Sequence, residues 1–150
     1  MCEGLPVDIA PEEIIVRALK TPVHYDERKK RVKPSAFRAQ AGKDDVSVMR
    51  KRHLGNDGCK RKAIEIARDA YVGMAALTAQ EIVAAQARVV DSREGQFLGH
   101  AHIEQGMTAP ASGQPAPPEL MERYKELADK ARFYDDGEPQ NPQWVGADIL

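Results

Sequence analysis

The sequence predicts a single α+β domain with a small mixed or antiparallel sheet of about five short strands and three to four helices. The length of 150 residues fits one domain. The contents of 42% hydrophobic and 30% charged residues are typical of a globular chain. Short apolar runs also alternate with segments whose apolar residues recur every three to four positions, which indicates both strands and helices.

The first predicted element is a helix over residues 11–20. Pro11 suits the first helical position, and Glu12 and Glu13 favour the positive end of a helix dipole. The apolar residues that follow have helical spacing. Pro22 then predicts the end of the helix.

Two short strands and a second helix are predicted next. Residues 35–38 and 46–49 have strand-like composition and are expected to pair as a hairpin. Residues 50–58 are rich in Gly, Asn and Asp, which favours a loop. A helix is predicted over about 57–70, because its alanines and isoleucine fall on one face.

The middle of the chain predicts a buried strand followed by a capped helix. Residues 72–77 form an almost continuous run of small apolar residues, as in a strand buried on both faces. Thr78 and Glu81 match the capping box that begins a helix, here 79–86. One long helix over 72–87 is the alternative, since Ala, Met and Leu favour helices. The strand-then-helix order would permit one parallel strand pairing.

Two further strands and a C-terminal helix complete the prediction. Residues 87–90 and 97–103 are predicted as strands. Residues 118–134 are predicted as an amphipathic helix. The last apolar patch, residues 144–150, could dock on the domain or on another molecule.

Three segments are expected along the chain. Residues 1–106 form the compact α+β domain, residues 107–118 form a linker with four prolines, and residues 119–150 form a helix and tail that pack on the same domain. The helix could also bind a partner protein or a second copy of the chain.

The sequence predicts a cytoplasmic protein without a membrane partner. No segment reaches the roughly 18 continuous apolar residues of a membrane span. The first residues lack the basic and apolar regions of a signal peptide. Cys2 and Cys59 are expected to be reduced thiols, because one lies at the extreme terminus and a structural bridge is not favoured.

The strand at 97–103 carries two histidines that are candidate catalytic groups. Strand alternation places His100 and His102 on one face and Ala101 and Ile103 on the other, which seeks the core. Both imidazoles are therefore expected in solvent or in a cleft. Glu104 stands where histidine-triad hydrolases have a third histidine, so that activity is not expected. A metal would need further ligands from distant residues, and no metal or cofactor is predicted.

A serine and several cations are further candidates for a site. Ser47 is a candidate catalytic residue, because its hydroxyl and a nearby arginine could bind a phosphate group together. Candidate phosphate-binding residues come from the basic N-terminal half, where 16 Lys and Arg oppose 11 Asp and Glu in residues 1–75. These candidates are Arg31, Lys33, Arg38 and Arg50.

Three functions remain open from the sequence, which does not decide whether the protein is an enzyme. The first is a non-enzymatic accessory or interaction domain, favoured because no complete catalytic motif is present. The second is a small hydrolase or transferase that uses His100 and His102 on a phosphate-bearing substrate. The third, less favoured, is a nucleic-acid binder that uses the basic N-terminal half.

Overall fold

The computed structural model describes residues 6–111 and 113–150, which form eight strands and three α-helices. In chain order these are β1 (Ile14–Lys20), β2 (Tyr25–Asp26), β3 (Arg31–Val32), β4 (Asp45–Arg50), α1 (Lys51–Ala67), β5 (Tyr71–Thr78), α2 (Ala79–Ala84), β6 (Arg88–Asp91), β7 (His100–Glu104), α3 (Pro118–Lys130) and β8 (Arg132–Asp135). Two 3₁₀ turns, Pro34–Phe37 and Arg68–Ala70, precede β4 and β5. None of the helices in the described residues is long and apolar enough to cross a membrane. Cys2 lies outside the described residues.

Six strands form one sheet in the order β6-β7-β4-β1-β5-β8, and every pairing is antiparallel. β2 and β3 form a separate hairpin. The predicted α+β class is confirmed, and of the two predicted sheet types the structure has the antiparallel one. The parallel pairing permitted after β5 does not form, because β5 lies between β1 and β8 while β6 lies at the opposite edge.

Helices cover both faces of the sheet. On one face, Cys59 and Ala63 of α1 pack against sheet residues that include Val16 and Met74. On the other face, Ile82 of α2 packs in the larger of the core clusters with Leu127 and Ala128 of α3. Ala36 and Phe37 of the 3₁₀ turn belong to the same cluster. The sheet therefore forms the middle of three layers, and β1 and β5 are buried on both sides.

The helix predicted over residues 11–20 is wrong, because these residues contain the central strand β1. A strand that is buried on both faces carries apolar residues on both sides of the pleat, so its apolar spacing also matches a helix. The consecutive β-branched residues Ile14, Ile15 and Val16 suit a strand.

The predicted hairpin of 35–38 and 46–49 is also wrong in its first strand. Residues Pro34–Phe37 form a 3₁₀ turn that begins at the proline, and Phe37 is fully buried in the larger core. The second strand is confirmed as β4, but it pairs with β1 and β7. The fixed φ of Pro34 suits the first position of a helical turn.

The loop predicted at 50–58 is helical from Lys51 onward. α1 is interrupted at Gly55, whose φ of 71° and ψ of 176° are not helical, so that two helical segments meet at a kink. A residue without a Cβ takes this left-handed conformation at little cost. α1 then ends at Ala67, three residues before the predicted end.

The capped segment in the middle of the chain is confirmed. β5 precedes α2, and the Thr78 side chain accepts from the Glu81 amide at 3.1 Å while the Glu81 carboxylate accepts from the Thr78 amide at 2.8 Å. The alternative of one helix over 72–87 is therefore wrong. β6 confirms the strand predicted at 87–90, whereas β7 begins only at His100.

The end of the chain is more ordered than predicted. α3 ends at Lys130, and the next residues form the edge strand β8 in place of the last predicted turn of helix. Ile149 is fully buried in the core beneath α1, so the C-terminal apolar patch docks on the domain.

Candidate functional site

A cleft opens where β1 and β4 separate in the middle of the sheet. The two strands pair at Ile15 with Arg50 and at Val16 with Met49, and then diverge. Each strand keeps its other neighbour, since β1 pairs with β5 to its end and β4 pairs with β7. The gap has a volume of about 220 Å³. We call it the basic cleft.

Cations dominate the lining of the basic cleft. Its charged side chains are four cations and one carboxylate, and its neutral polar side chains come from a histidine, a glutamine and a serine. Among the described residues, none of the four cations forms a salt bridge with a carboxylate. A cleft lined by charges of one sign concentrates its field on a bound ion. These residues are Arg17, Lys20, His24, Arg38, Gln40, Lys43, Asp45 and Ser47.

Arg17 spans the gap between the two strands. Its Nε donates to the carbonyl of Ala36 at 2.9 Å, and its Nη1 donates to the carbonyl of Ser47 at 2.9 Å. Burial lowers the pKa of Arg17 to about 10, so the guanidinium is still protonated at neutral pH. Its neighbours are therefore neutral acceptors, and its positive charge remains available to an anion.

His24 contributes a neutral donor to the same cleft. The imidazole is 8% exposed, and burial together with the charges of Arg17 and Lys20 lowers its pKa to about 4. Its Nδ1 accepts the backbone amide of Lys20 at 3.1 Å. A neutral imidazole with an accepting Nδ1 must carry its proton on Nε2, and this Nε2–H has no hydrogen-bond partner in the described part of the chain.

Arg38 closes one side of the cleft, and one hydrogen bond of its side chain is found among the residues that the structure describes. Its Nη2 donates to the carbonyl of Gln114 at 2.9 Å. This bond joins the residues that follow the 3₁₀ turn to the proline-rich segment. A guanidinium has five N–H donors, so the remaining donors of Arg38 can bind a ligand.

A serine, a histidine and a glutamate lie together at the edge of the basic cleft. Ser47 lines the cleft and is the cross-strand partner of His102, and Asp45 is the partner of Glu104. Directly opposed residues have Cβ atoms about 4.5–5.5 Å apart on the same face of the sheet. His102 Nε2 lies 2.9 Å from Glu104 Oε2. Ser47 is exposed, and the His102 side chain is 23% exposed.

His100 lies on the same face as His102, as predicted, but its predicted exposure is wrong. It is 8% exposed, because its Nδ1 lies 2.7 Å from Ser92 Oγ and its ring stacks edge-on against Phe97 at 5.2 Å. Burial lowers the pKa of His100. The basic cleft does not include His100.

Arg50 lies in a buried ionic network away from the basic cleft. Its side chain forms salt bridges with Glu13 at 2.5 Å and with Asp91 at 2.7 Å. The other guanidinium bonds go to the carbonyls of residues 6–8. All five donors are therefore occupied inside the protein, and the network fixes the N-terminal segment against the sheet.

The last two predicted cations lie on the β2–β3 hairpin. Arg31 is exposed and lies 3.9 Å from the carboxylate of Asp129. Lys33 follows β3, and its backbone amide donates to the carbonyl of His24. Neither residue lines the basic cleft.

The structure brings together only some of the residues that the sequence indicates. Arg38 and Ser47 line the cleft, and His102 lies next to Ser47. The cations at Arg17 and Lys20 are not singled out by the sequence, because the helix predicted there places them on a solvated side. A charge within the apolar run 14–19 is the local signal that could have indicated a buried functional side chain.

Comparison of the chain with protein-family models, with curated proteins and with solved structures finds no match. Within residues 6–111 and 113–150, no group of three or more His, Cys, Asp or Glu side chains is arranged to hold a metal ion. A functional proposal therefore depends on the cleft itself.

Proposed function

We propose that the protein binds a small ligand through a phosphate or similar oxyanion group in the basic cleft. The observation that carries this proposal is the set of four cations that face one gap in the sheet without a carboxylate partner among the described residues. Unpaired charge in a partly buried cleft is costly unless an ion of opposite charge binds there.

The donor geometry favours a tetrahedral oxyanion. Guanidinium, ammonium and imidazole N–H groups come from β1, from the loop before β2 and from the segment before β4. Donors from several directions match the several oxygens of a phosphate or sulfate, and charge-assisted bonds to such groups are strong. The volume of about 220 Å³ is below the roughly 300–1,000 Å³ of pockets that enclose drug-sized ligands. The cleft thus suits one charged group of a ligand.

This proposal is closest to the phosphate-bearing substrate predicted from the sequence. Four expectations from the sequence stay predictions. They are an accessory or interaction role, a partner protein or second copy bound at α3, nucleic-acid binding, and the division of the chain into segments at residues 106 and 118. We keep the cytoplasm as the expected location, where phosphorylated metabolites are abundant ligands.

Isothermal titration with inorganic phosphate and with sulfate tests the proposal. Lys43→Gln removes a cleft cation, and Lys29→Gln removes an exposed lysine from the β2–β3 hairpin as the matched control. Loss of one charged hydrogen bond of about 1.5 kcal/mol predicts roughly tenfold weaker binding for Lys43→Gln. The control should change affinity less than about twofold, because Lys29 does not line the cleft and its charge is screened by solvent.

Two results would refute the proposal. One is the absence of sulfate and phosphate binding at millimolar concentration. The other is an equal loss of affinity in both variants, which would show attraction to the general basic surface and no cleft site.

A further inference from the structure

We infer that the cleft edge is a hydrolytic site for phosphate esters, in which His102 acts as the general base. This inference rests on the proposed oxyanion binding, because the cleft must hold the phosphoryl group beside His102. Its structural basis is the juxtaposition of Ser47, His102 and Glu104 with the basic cleft.

The strand register brings the two parts together. Ser47 belongs to both, since it lines the cleft and opposes His102 on β7. Its exposed hydroxyl can hold a water molecule between the imidazole and a phosphoryl group in the cleft. The oxygen of that water is then within reach of both the His102 imidazole and the phosphorus atom.

Glu104 fixes the tautomer of His102. The hydrogen bond from His102 and the guanidinium of Arg88 lower the pKa of Glu104, so its side chain is a carboxylate at neutral pH. A carboxylate only accepts hydrogen bonds, so in the neutral form of the imidazole the His102 proton lies on Nε2 and Nδ1 keeps a lone pair. This Nδ1 has no hydrogen-bond partner among the described residues. A free imidazole lone pair that a carboxylate orients is the arrangement of a general base.

The reaction is hydrolysis by direct attack of water. His102 Nδ1 takes a proton from the water, whose oxygen forms a new bond to phosphorus while the ester P–O bond breaks. The leaving oxygen departs on the opposite side of phosphorus with the electron pair of that bond and takes a proton from solvent water, while the imidazolium releases its proton to solvent. The products are an alcohol and inorganic phosphate, and His102 returns to its neutral form. Arg17 and Arg38 would stabilise the negative charge on the phosphoryl oxygens.

Vanadate tests this inference, because its five-coordinate form mimics the transition state of phosphoryl transfer, whereas sulfate mimics only the ground state. A catalytic site binds transition-state analogues at least about 100-fold more tightly than ground-state ligands. We expect vanadate to bind wild-type protein with this preference over phosphate. His102→Gln should weaken vanadate binding at least about tenfold and leave sulfate affinity within about twofold.

Glu104→Gln tests the positioning role of the carboxylate separately. The wild-type ¹⁵N spectrum of His102 should show a protonated Nε2 and an unprotonated Nδ1. The variant should lose this single tautomer and weaken vanadate binding, while sulfate affinity stays within about twofold. A residue with a merely structural role would not change the tautomer.

The outcomes separate the two proposals. If sulfate binds in the cleft but vanadate binds no more tightly than phosphate, hydrolysis is refuted and anion binding stands. The same holds if His102→Gln weakens sulfate and vanadate equally. If sulfate does not bind at all, the proposed function fails and the hydrolytic inference fails with it.

Discussion

The substitution His24→Asn tests whether the cleft cations keep this buried histidine neutral. An asparagine Oδ1 can accept the Lys20 amide as Nδ1 does, but it does not titrate. In the unfolded chain the pKa of histidine is near 6.5, whereas in the folded protein that of His24 is about 4. The unfolded state therefore binds more protons as the pH falls below 6.5, and acid destabilises the fold through this residue.

The magnitude follows from the two pKa values. Each unit of difference corresponds to about 1.4 kcal/mol, so His24 should cost the wild type about 2 kcal/mol of unfolding free energy at pH 5 and about 3 kcal/mol at pH 4. Above about pH 7 the cost vanishes, because the residue is neutral in both states.

Urea denaturation of both proteins at pH 7, 6 and 5 measures this effect. The buffer must lack sulfate and phosphate, because a bound anion would raise the pKa of His24. All other titrating groups cancel when the two proteins are compared at each pH. The stability of His24→Asn relative to wild type should rise by about 2 kcal/mol between pH 7 and pH 5. Parallel pH dependences of the two proteins would refute the reasoning, since they would show that His24 titrates alike in both states.

Three further substitutions test the fold that holds the cleft. Asp91→Asn should cost about 3–5 kcal/mol in urea denaturation, because it leaves the buried Arg50 charge partly unpaired; a loss under about 1 kcal/mol would contradict the buried network. Thr78→Ala should cost about 1 kcal/mol through loss of the helix cap, again by denaturation, and an unchanged midpoint would argue against the cap. Gly73→Ala should cost about 1–3 kcal/mol and lower the melting temperature, because the new Cβ would lie 2.3 Å from the Tyr134 carbonyl oxygen; an unchanged melting temperature would show that β5 and β8 are not so close.

The sequence predicts the elements whose signals are local. β5 and α2 are predicted because the capping box of Thr78 and Glu81 satisfies amides within one turn. β1 is not predicted, because its two neighbours in the sheet are distant in sequence and its faces are buried by elements that pack on the two sides of the sheet. β8 is likewise not predicted after α3, because this segment becomes a strand through its long-range pairing with β5.

The candidate site depends on a long-range feature that no local pattern indicates. Strand alternation correctly places His100 and His102 on one face, and Arg38, a candidate chosen for its charge, lines the cleft. The cleft itself arises because β1 and β4 diverge after two paired positions, and Arg17 spans the resulting gap. Composition cannot show which cations are neutralised. In the structure Arg50 is paired with Glu13 and Asp91, whereas Arg17 has no carboxylate partner among the described residues.

The most direct test of the basic cleft is an NMR titration of His24 with sulfate, whose charge is constant over the pH range used. We expect the pKa of His24 to rise from about 4 when sulfate saturates the protein, because the anion offsets the charges of Arg17 and Lys20. The largest amide shifts should lie in β1 and β4 beside the cleft. An unchanged pKa of His24, with shifts confined to the β2–β3 hairpin, would contradict an oxyanion site in the cleft.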